Sequence, residues 1–188
     1  MIKFLDLINV FYIFSIFGTS AAVLGSVIAG IFYRGKEGES YSPLNHFISE
    51  LGEMGVSRSA WVFNLGLMIS GISLILGSLS LGLVCPGILA KIGMAVGIIS
   101  SVGLFFLGVF SMNKIKPHTT AAMTYFRGGL SMAILFTLAI TLQPEEALVL
   151  PRAYSLAGLP AILSFAGFLF MIPRAVKKSK HNYSRLKM

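Results

Sequence analysis

Residues 61–84 read WVFNLGLMISGISLILGSLSLGLV, which is 24 consecutive residues without a charged side chain. A transmembrane helix needs about 20 mainly apolar residues to cross a hydrocarbon core about 30 Å thick. The strands of a membrane β-barrel alternate apolar and polar residues, and a run such as Leu65–Ile69 does not. This stretch therefore predicts a membrane-spanning α-helix.

Four more segments of the chain have the same character, and prolines separate most of them. Pro86 breaks the second span from the third, and Pro117, Pro144 and Pro151 mark the later breaks. We predict an all-α polytopic membrane bundle, with one transmembrane domain over 1–173 and a basic tail over 174–188. The expected spans lie near 8–33, 61–84, 90–111, 119–142 and 153–173.

The overall composition agrees with this class. Of the 188 residues, 55% are hydrophobic and 12% are charged, and the mean hydropathy is +0.83. A soluble domain carries roughly 25% charged residues, so an ordinary soluble enzyme and a disordered chain are excluded. The single Cys85 excludes an internal disulfide.

The lysines and arginines are distributed unequally between the two membrane sides. With five spans, the N-terminal side carries Lys3, Lys91 and Arg152, and the other side carries the remaining 12 of 15. Because cytoplasmic loops are enriched in Lys and Arg, we expect a multi-pass protein of the cell membrane with its N-terminus outside and its C-terminus in the cytoplasm. The basic tail is placed to meet anionic lipid headgroups. It is short, with Tyr183 its sole aromatic residue, so no nucleic-acid partner is expected.

Small residues recur at helical spacing within the spans. Gly93 and Gly97 form a G-x-x-x-G step, and Gly18 with Ala22 repeats the small-residue pattern. Such steps allow the close backbone approach on which helix association in lipid depends. Packing within one chain is the favoured interpretation, and homo-oligomerisation through the third span is the alternative.

The segment 34–60 between the first two spans is not an ordinary loop. Ser42 and Pro43 are typical of a helix start. From Leu44 onward, apolar residues recur at i, i+3, i+4 and i+7, which predicts a short amphipathic helix over 44–54 at the membrane surface. Its expected apolar face consists of Leu44, Phe47, Ile48 and Leu51.

The other face of this predicted helix carries four polar or ionisable side chains. His46, Ser49, Glu50 and Glu53 share it, and Arg127 lies about 12 Å inside the fourth predicted span. An arginine at that depth needs a partner or a wet cavity unless it snorkels to the surface, so a pairing with Glu50 or Glu53 is expected. The candidate ligand-binding residues are Asn45, His46, Ser49, Glu50, Glu53 and Arg127.

These residues leave three kinds of function open. The first expectation is a protein that binds or senses a lipid at a polar opening on the cytoplasmic side of the bundle. A lipid-modifying hydrolase is the alternative, with Ser49, His46 and His118 as catalytic candidates or with a metal ion on His46, Glu50, Glu53 and His118. A small transporter or channel is the third. No cofactor is indicated.

One block of the sequence resembles a known family. Residues 41–52, YSPLNHFISELG, followed by VFNLG at 62–66 and GVF at 108–110, resemble an uncharacterised membrane family, domain of unknown function 998. That family is distantly similar to a eukaryotic group of damage-regulated autophagy modulators and GPI-lipid remodelling factors. The resemblance implies a multi-span membrane protein and supplies no known reaction.

Overall fold

The computed structural model describes the backbone of residues 4–185 and the side chains of residues 6–172 and Arg174. Within that range the backbone forms helices, turns and loops without a strand. Three short 3-10 helices lie at Ile48–Gly52, Glu145–Ala147 and Arg152–Ala157. The five long helices are α1 (Phe4–Ile31), α2 (Ala60–Val84), α3 (Ile88–Val109), α4 (Ile115–Thr141) and α5 (Gly158–Arg185).

Each long helix is apolar enough to cross a membrane. The spanning segments cover 21 to 27 residues, with hydropathy of 1.4 to 2.2. The five-span, all-helical prediction is confirmed, and the chain is an integral membrane protein. Gly87 separates α2 from α3 in a left-handed conformation, with φ of +85°, so the chain reverses directly after Pro86.

The helices pack in chain order. The close backbone contacts join α1 to α2, α2 to α3, α3 to α4 and α4 to α5. In the most apolar part of α2 and of α3, about half of the residues are buried. In α1 and α5, almost all of these residues are at the surface. Phe168 of α5 stacks on Phe126 of α4 with ring centroids 3.7 Å apart, so aromatic contacts hold the outer helix.

Small residues form the close helix contacts, as the sequence pattern predicts. The Cα atom of Gly25 on α1 lies 3.4 Å from where a Cβ of Gly66 on α2 would be. A Cβ at Gly97 on α3 would lie 2.7 Å from Ser78 Oγ and 2.8 Å from Met132 Sδ. The G-x-x-x-G step of the third span is therefore occupied by α2 and α4 of the same chain.

The predicted helix over 44–54 is wrong in type and length. Residues 43–46 form a turn, and Ile48–Gly52 is a 3-10 helix. Phe47 between them is extended (φ −73°, ψ 144°), and its N–H donates to Glu50 Oε1 at 2.8 Å. Side chains that bond nearby backbone groups compete with helical hydrogen bonds, which explains the interruption. The expected apolar face is also absent, because Leu51 is buried while Leu44 is 94% exposed.

Helix α5 continues from the fifth span into the basic tail, as far as Arg185. The tail side chains apart from Arg174, as well as Lys3, lie outside the described residues.

Candidate functional site

One end of the bundle is closed by the segment 32–59, which we call the cap. At this end α1 stops, α2 starts, and the 110–114 turn joins α3 to α4. Asn64, at the start of α2, is buried and donates from Nδ2 to the Gly52 carbonyl at 3.1 Å. A Cβ at Gly52 would meet the Asn64 side chain, so the absence of a side chain at Gly52 permits this contact.

Asn113 attaches the cap to the α3–α4 turn. Its Oδ1 accepts from the Met54 N–H at 2.8 Å, and its Nδ2 donates to the Met54 carbonyl at 2.9 Å. One side-chain amide thus satisfies both backbone groups of Met54. Nearby, the Ser49 hydroxyl donates to Met112 Sδ at 3.4 Å. The cap is therefore fixed to two separate parts of the bundle.

Three rings form the interior of the cap. Tyr33, Tyr41 and His46 pack together with centroid distances of 5.4 to 5.8 Å. Tyr33 is 2% exposed, and the His46 side chain is 15% exposed. His46 is thus enclosed by aromatic rings and not presented on a helix surface.

The tautomer of His46 follows from its neighbours. The Ser42 N–H donates to His46 Nδ1 at 3.0 Å, so this nitrogen carries no proton. The proton of the neutral ring is then on Nε2, which lies 3.7 Å from Glu39 Oε1. Hydrogen bonds from backbone N–H groups, chiefly its own, lower the pKa of the Glu39 carboxyl. Glu39 thus remains the negatively charged partner of the histidine.

Glu50 is a local structural residue of the cap. It accepts from Phe47 through Oε1, and its Oε2 lies 3.5 Å from the Tyr33 hydroxyl. Burial, together with the negative charge of Glu50, raises the pKa of Tyr33 to about 12. Burial also raises the pKa of Tyr41.

The structure does not form the expected pairing of Arg127 with Glu50 or Glu53. Glu53 pairs with Lys36 at 3.3 Å, and Glu50 is engaged within the cap. Arg127 is exposed on α4, about 18 Å along the helix from its first residue, and has no ion pair among the described residues. The pairing prediction was wrong because Arg127 lies too far along α4 from the cap.

The predicted convergence of the two histidines stays a prediction, since each ring bonds a different backbone group. His118 is 8% exposed, and its Nδ1 donates to the Phe110 carbonyl at 2.7 Å. It therefore caps the C-terminal end of α3. No hydrogen bond joins Ser49 to either histidine within the described part of the chain. The side chains expected to catalyse hydrolysis are thus each bonded elsewhere.

The metal candidates do not form a cluster among the described residues. Within the side chains that the structure describes, no group of three or more His, Cys, Asp or Glu is placed to hold a metal ion. Asn45, the remaining ligand-binding candidate, is exposed and donates to Ser42 Oγ at 3.1 Å.

The outer face of the cap region combines apolar and basic side chains. Arg58, Lys114 and Lys116 are exposed and have no ion pair among the described residues. They flank the joint between Met54 and Asn113 in sequence. The large exposed apolar side chains of this region include Phe32, Leu44, Phe47, Ile48, Met54, Trp61 and Ile115.

Sequence reasoning missed the main polar residue at the opposite end. Gln143 is 2% exposed; its Nε2 donates to the Ile140 and Leu150 carbonyls, and its Oε1 accepts from the N–H groups of Val149 and Leu150. The signal available was an uncharged amide between Leu142 and Pro144 in a short interhelical loop, which alone does not indicate burial.

Comparisons with known proteins identify a family but no activity. No curated protein and no solved structure matches the chain. A family model described as "Protein of unknown function (DUF998)" matches residues 19–182 of 188. This range includes four of the five spans in full, the cap and the part of α1 from residue 19 onward. The chain therefore belongs to the DUF998 family, as the block at 41–52 predicted, and is an integral membrane protein of that family.

Proposed function

We propose that this protein binds or senses anionic lipid through the cap end of its bundle. The observation that carries the proposal is the position of three unpaired cations, Arg58, Lys114 and Lys116, beside exposed apolar side chains at one membrane-proximal surface. Basic residues near a membrane attract anionic headgroups, at about 1 kcal/mol each.

The carboxylates of the cap support this charge assignment. Glu53 faces Lys36, Glu50 bonds the Phe47 N–H, and Glu39 lies beside His46. These contacts direct three of the four carboxylates of the cap toward partners within it, and the fourth, Glu37, is exposed. Arg58, Lys114 and Lys116, near the hydrogen bonds between Met54 and Asn113, can therefore bind an anionic ligand.

The apolar side chains of the cap end suit a membrane interface. Trp61 is 62% exposed at the start of a spanning helix, where Trp favours the headgroup level. Phe47, Ile48 and Met54 are 42–52% exposed on a cap that hydrogen bonds hold to α2 and to the α3–α4 turn. We also propose that this end is cytoplasmic, from the predicted excess of Lys and Arg there.

Lipid retention measured by native mass spectrometry tests the proposal. Protein extracted from bilayers of equal phosphatidylglycerol and phosphatidylcholine should retain phosphatidylglycerol preferentially. The double variant K114Q/K116Q should lose most of that preference, whereas K36Q, which removes a cation already paired with Glu53, should lose less. Equal retention of the two lipids by the wild-type protein would contradict the proposal.

A further inference from the structure

We infer that the cavity at the start of α2 is a binding site for a phosphate oxyanion. The cavity is open to the surface, has a volume of about 300 Å³ and is lined by Met54, Gly55, Val56, Ser57, Arg58, Ala60 and Trp61. This volume is at the small end of known ligand pockets, which matches a phosphate headgroup and not an entire lipid. None of these residues belongs to the polar cluster around His46.

The backbone around the cavity is held in place by the sequence. Gly55 adopts φ of +84°, a left-handed conformation that favours glycine, and so turns the chain between cap and helix. The Ser57 N–H donates to the Glu53 carbonyl at 3.0 Å, and the Ser57 carbonyl accepts from Ala60 at 3.2 Å. The cavity walls therefore do not depend on a ligand for their position.

The N-terminal end of α2 has no negative partner of its own. Ser59 at the N-cap makes no side-chain cap hydrogen bond, and the first turn holds no acidic residue. An α-helix of 25 residues carries a partial positive charge at this end, which favours a bound anion.

Ser57 provides a second and independent indication. It is 5% exposed, and its Oγ is the one buried side-chain N or O atom of the described residues without a hydrogen-bond partner. A buried hydroxyl without a partner is unfavourable. Since Ser57 lines the cavity, an oxyanion bound there would accept this hydrogen bond.

Arg58 and Trp61 define the chemical class of the ligand. The exposed guanidinium of Arg58 forms no ion pair among the described residues and can bind two phosphate oxygens. Trp61, with Met54 and Val56, adds an apolar wall beside it. A phosphate attached to an apolar body, as in a phospholipid, fits both parts; that choice of source rests on the proposed function.

Trp61 is the single tryptophan, so its fluorescence reports on this cavity in the intact chain. Detergent-solubilised protein is titrated separately with short-chain phosphatidylglycerol and with inorganic phosphate. A saturable change that R58Q weakens at least about tenfold and that S57A weakens less supports the site. The control R152Q, which removes an exposed arginine at the opposite end of the bundle, should leave the change as it is. R58K, which keeps the charge, should fall between the wild type and R58Q.

The two titrations distinguish the sources of phosphate. Saturation by the lipid alone assigns the site to a headgroup, and equal saturation by inorganic phosphate assigns it to free phosphate. Identical binding by R58Q and the control R152Q, or no saturation with either probe, would overturn the site. A lipid preference that K114Q/K116Q abolishes and R58Q leaves intact would overturn the cavity while the proposed function stands.

Discussion

Asn113 illustrates at the scale of one residue how the cap is held. Its amide pairs with both backbone groups of Met54, 59 positions earlier in the chain. N113A removes two hydrogen bonds that are exposed to water, at a net cost of about 0.5–1.5 kcal/mol each. We expect faster hydrogen exchange in the 48–57 segment of N113A. The matched variant N45A, which removes a surface bond to Ser42, should leave that exchange unchanged.

Tyr33 gives a pH-dependent prediction. Its pKa rises from 10 in an unfolded chain to about 12 in the folded protein, because burial and the nearby Glu50 charge disfavour the phenolate. The folded state keeps the proton between these values, so the contribution of Tyr33 to stability is complete below pH 10 and is lost as pH rises through 12.

Ultraviolet titration of folded protein checks this assignment. The difference between wild type and Y33F should show one tyrosine ionising near pH 12, and E50Q should move it part of the way toward 10. A Y33F difference centred at pH 10 would show that the ring is hydrated and that the cap is open.

Single residues were the hardest part to predict from the sequence. His46 and Glu50, two members of the predicted polar face, do make hydrogen bonds within the cap. Their partners, the Ser42 and Phe47 N–H groups, are backbone groups a few residues away. Residue spacing does not distinguish such local bonds from a shared pocket, so the expected pairing of Arg127 with Glu50 or Glu53 was wrong.

At the scale of elements, α2 and α3 depend on a close approach at Gly71. A Cβ there would lie 2.6 Å from the Phe105 N atom and 2.8 Å from its Cα atom, both backbone atoms of α3. G71A should therefore separate the helices and destabilise the protein by about 1–3 kcal/mol. G167A is the matched control on α5, where nothing lies within 4 Å.

Thermal unfolding in one detergent compares the two alanine variants directly. G71A should melt well below the wild type, and G167A should melt at the same temperature or slightly above it, because alanine favours a helix over glycine. Equal melting of G71A and wild type would mean that α2 and α3 are not packed as described.

The five long helices were predictable because length and hydropathy alone determine them. The cap was not, since its 3-10 helix spans five residues and depends on contacts with Asn64 and Asn113. An apolar period of three and four residues suits either a surface helix or a folded loop. Over 44–54, tertiary contacts determine the conformation of the chain. Of the predicted apolar face, only Leu51 is buried.

At the scale of the molecule, the membrane orientation is open to a direct test. With Cys85 replaced by alanine, a cysteine is introduced at exposed Glu37 in the cap or at exposed Glu146 at the opposite end. From the Lys and Arg distribution, an impermeant thiol reagent should label E146C and not E37C in intact cells. The reverse pattern would place the cap outside the cell.

The central claim is that the cap end lies at the headgroup level of the bilayer and contacts lipid there. Fluorescence quenching of Trp61 in lipid vesicles measures this without a label, since the chain has no other tryptophan. Lipids brominated close to the headgroup should quench Trp61 more strongly than lipids brominated near the chain ends, and aqueous iodide should quench it weakly. Efficient quenching by iodide with none by either brominated lipid would contradict the account.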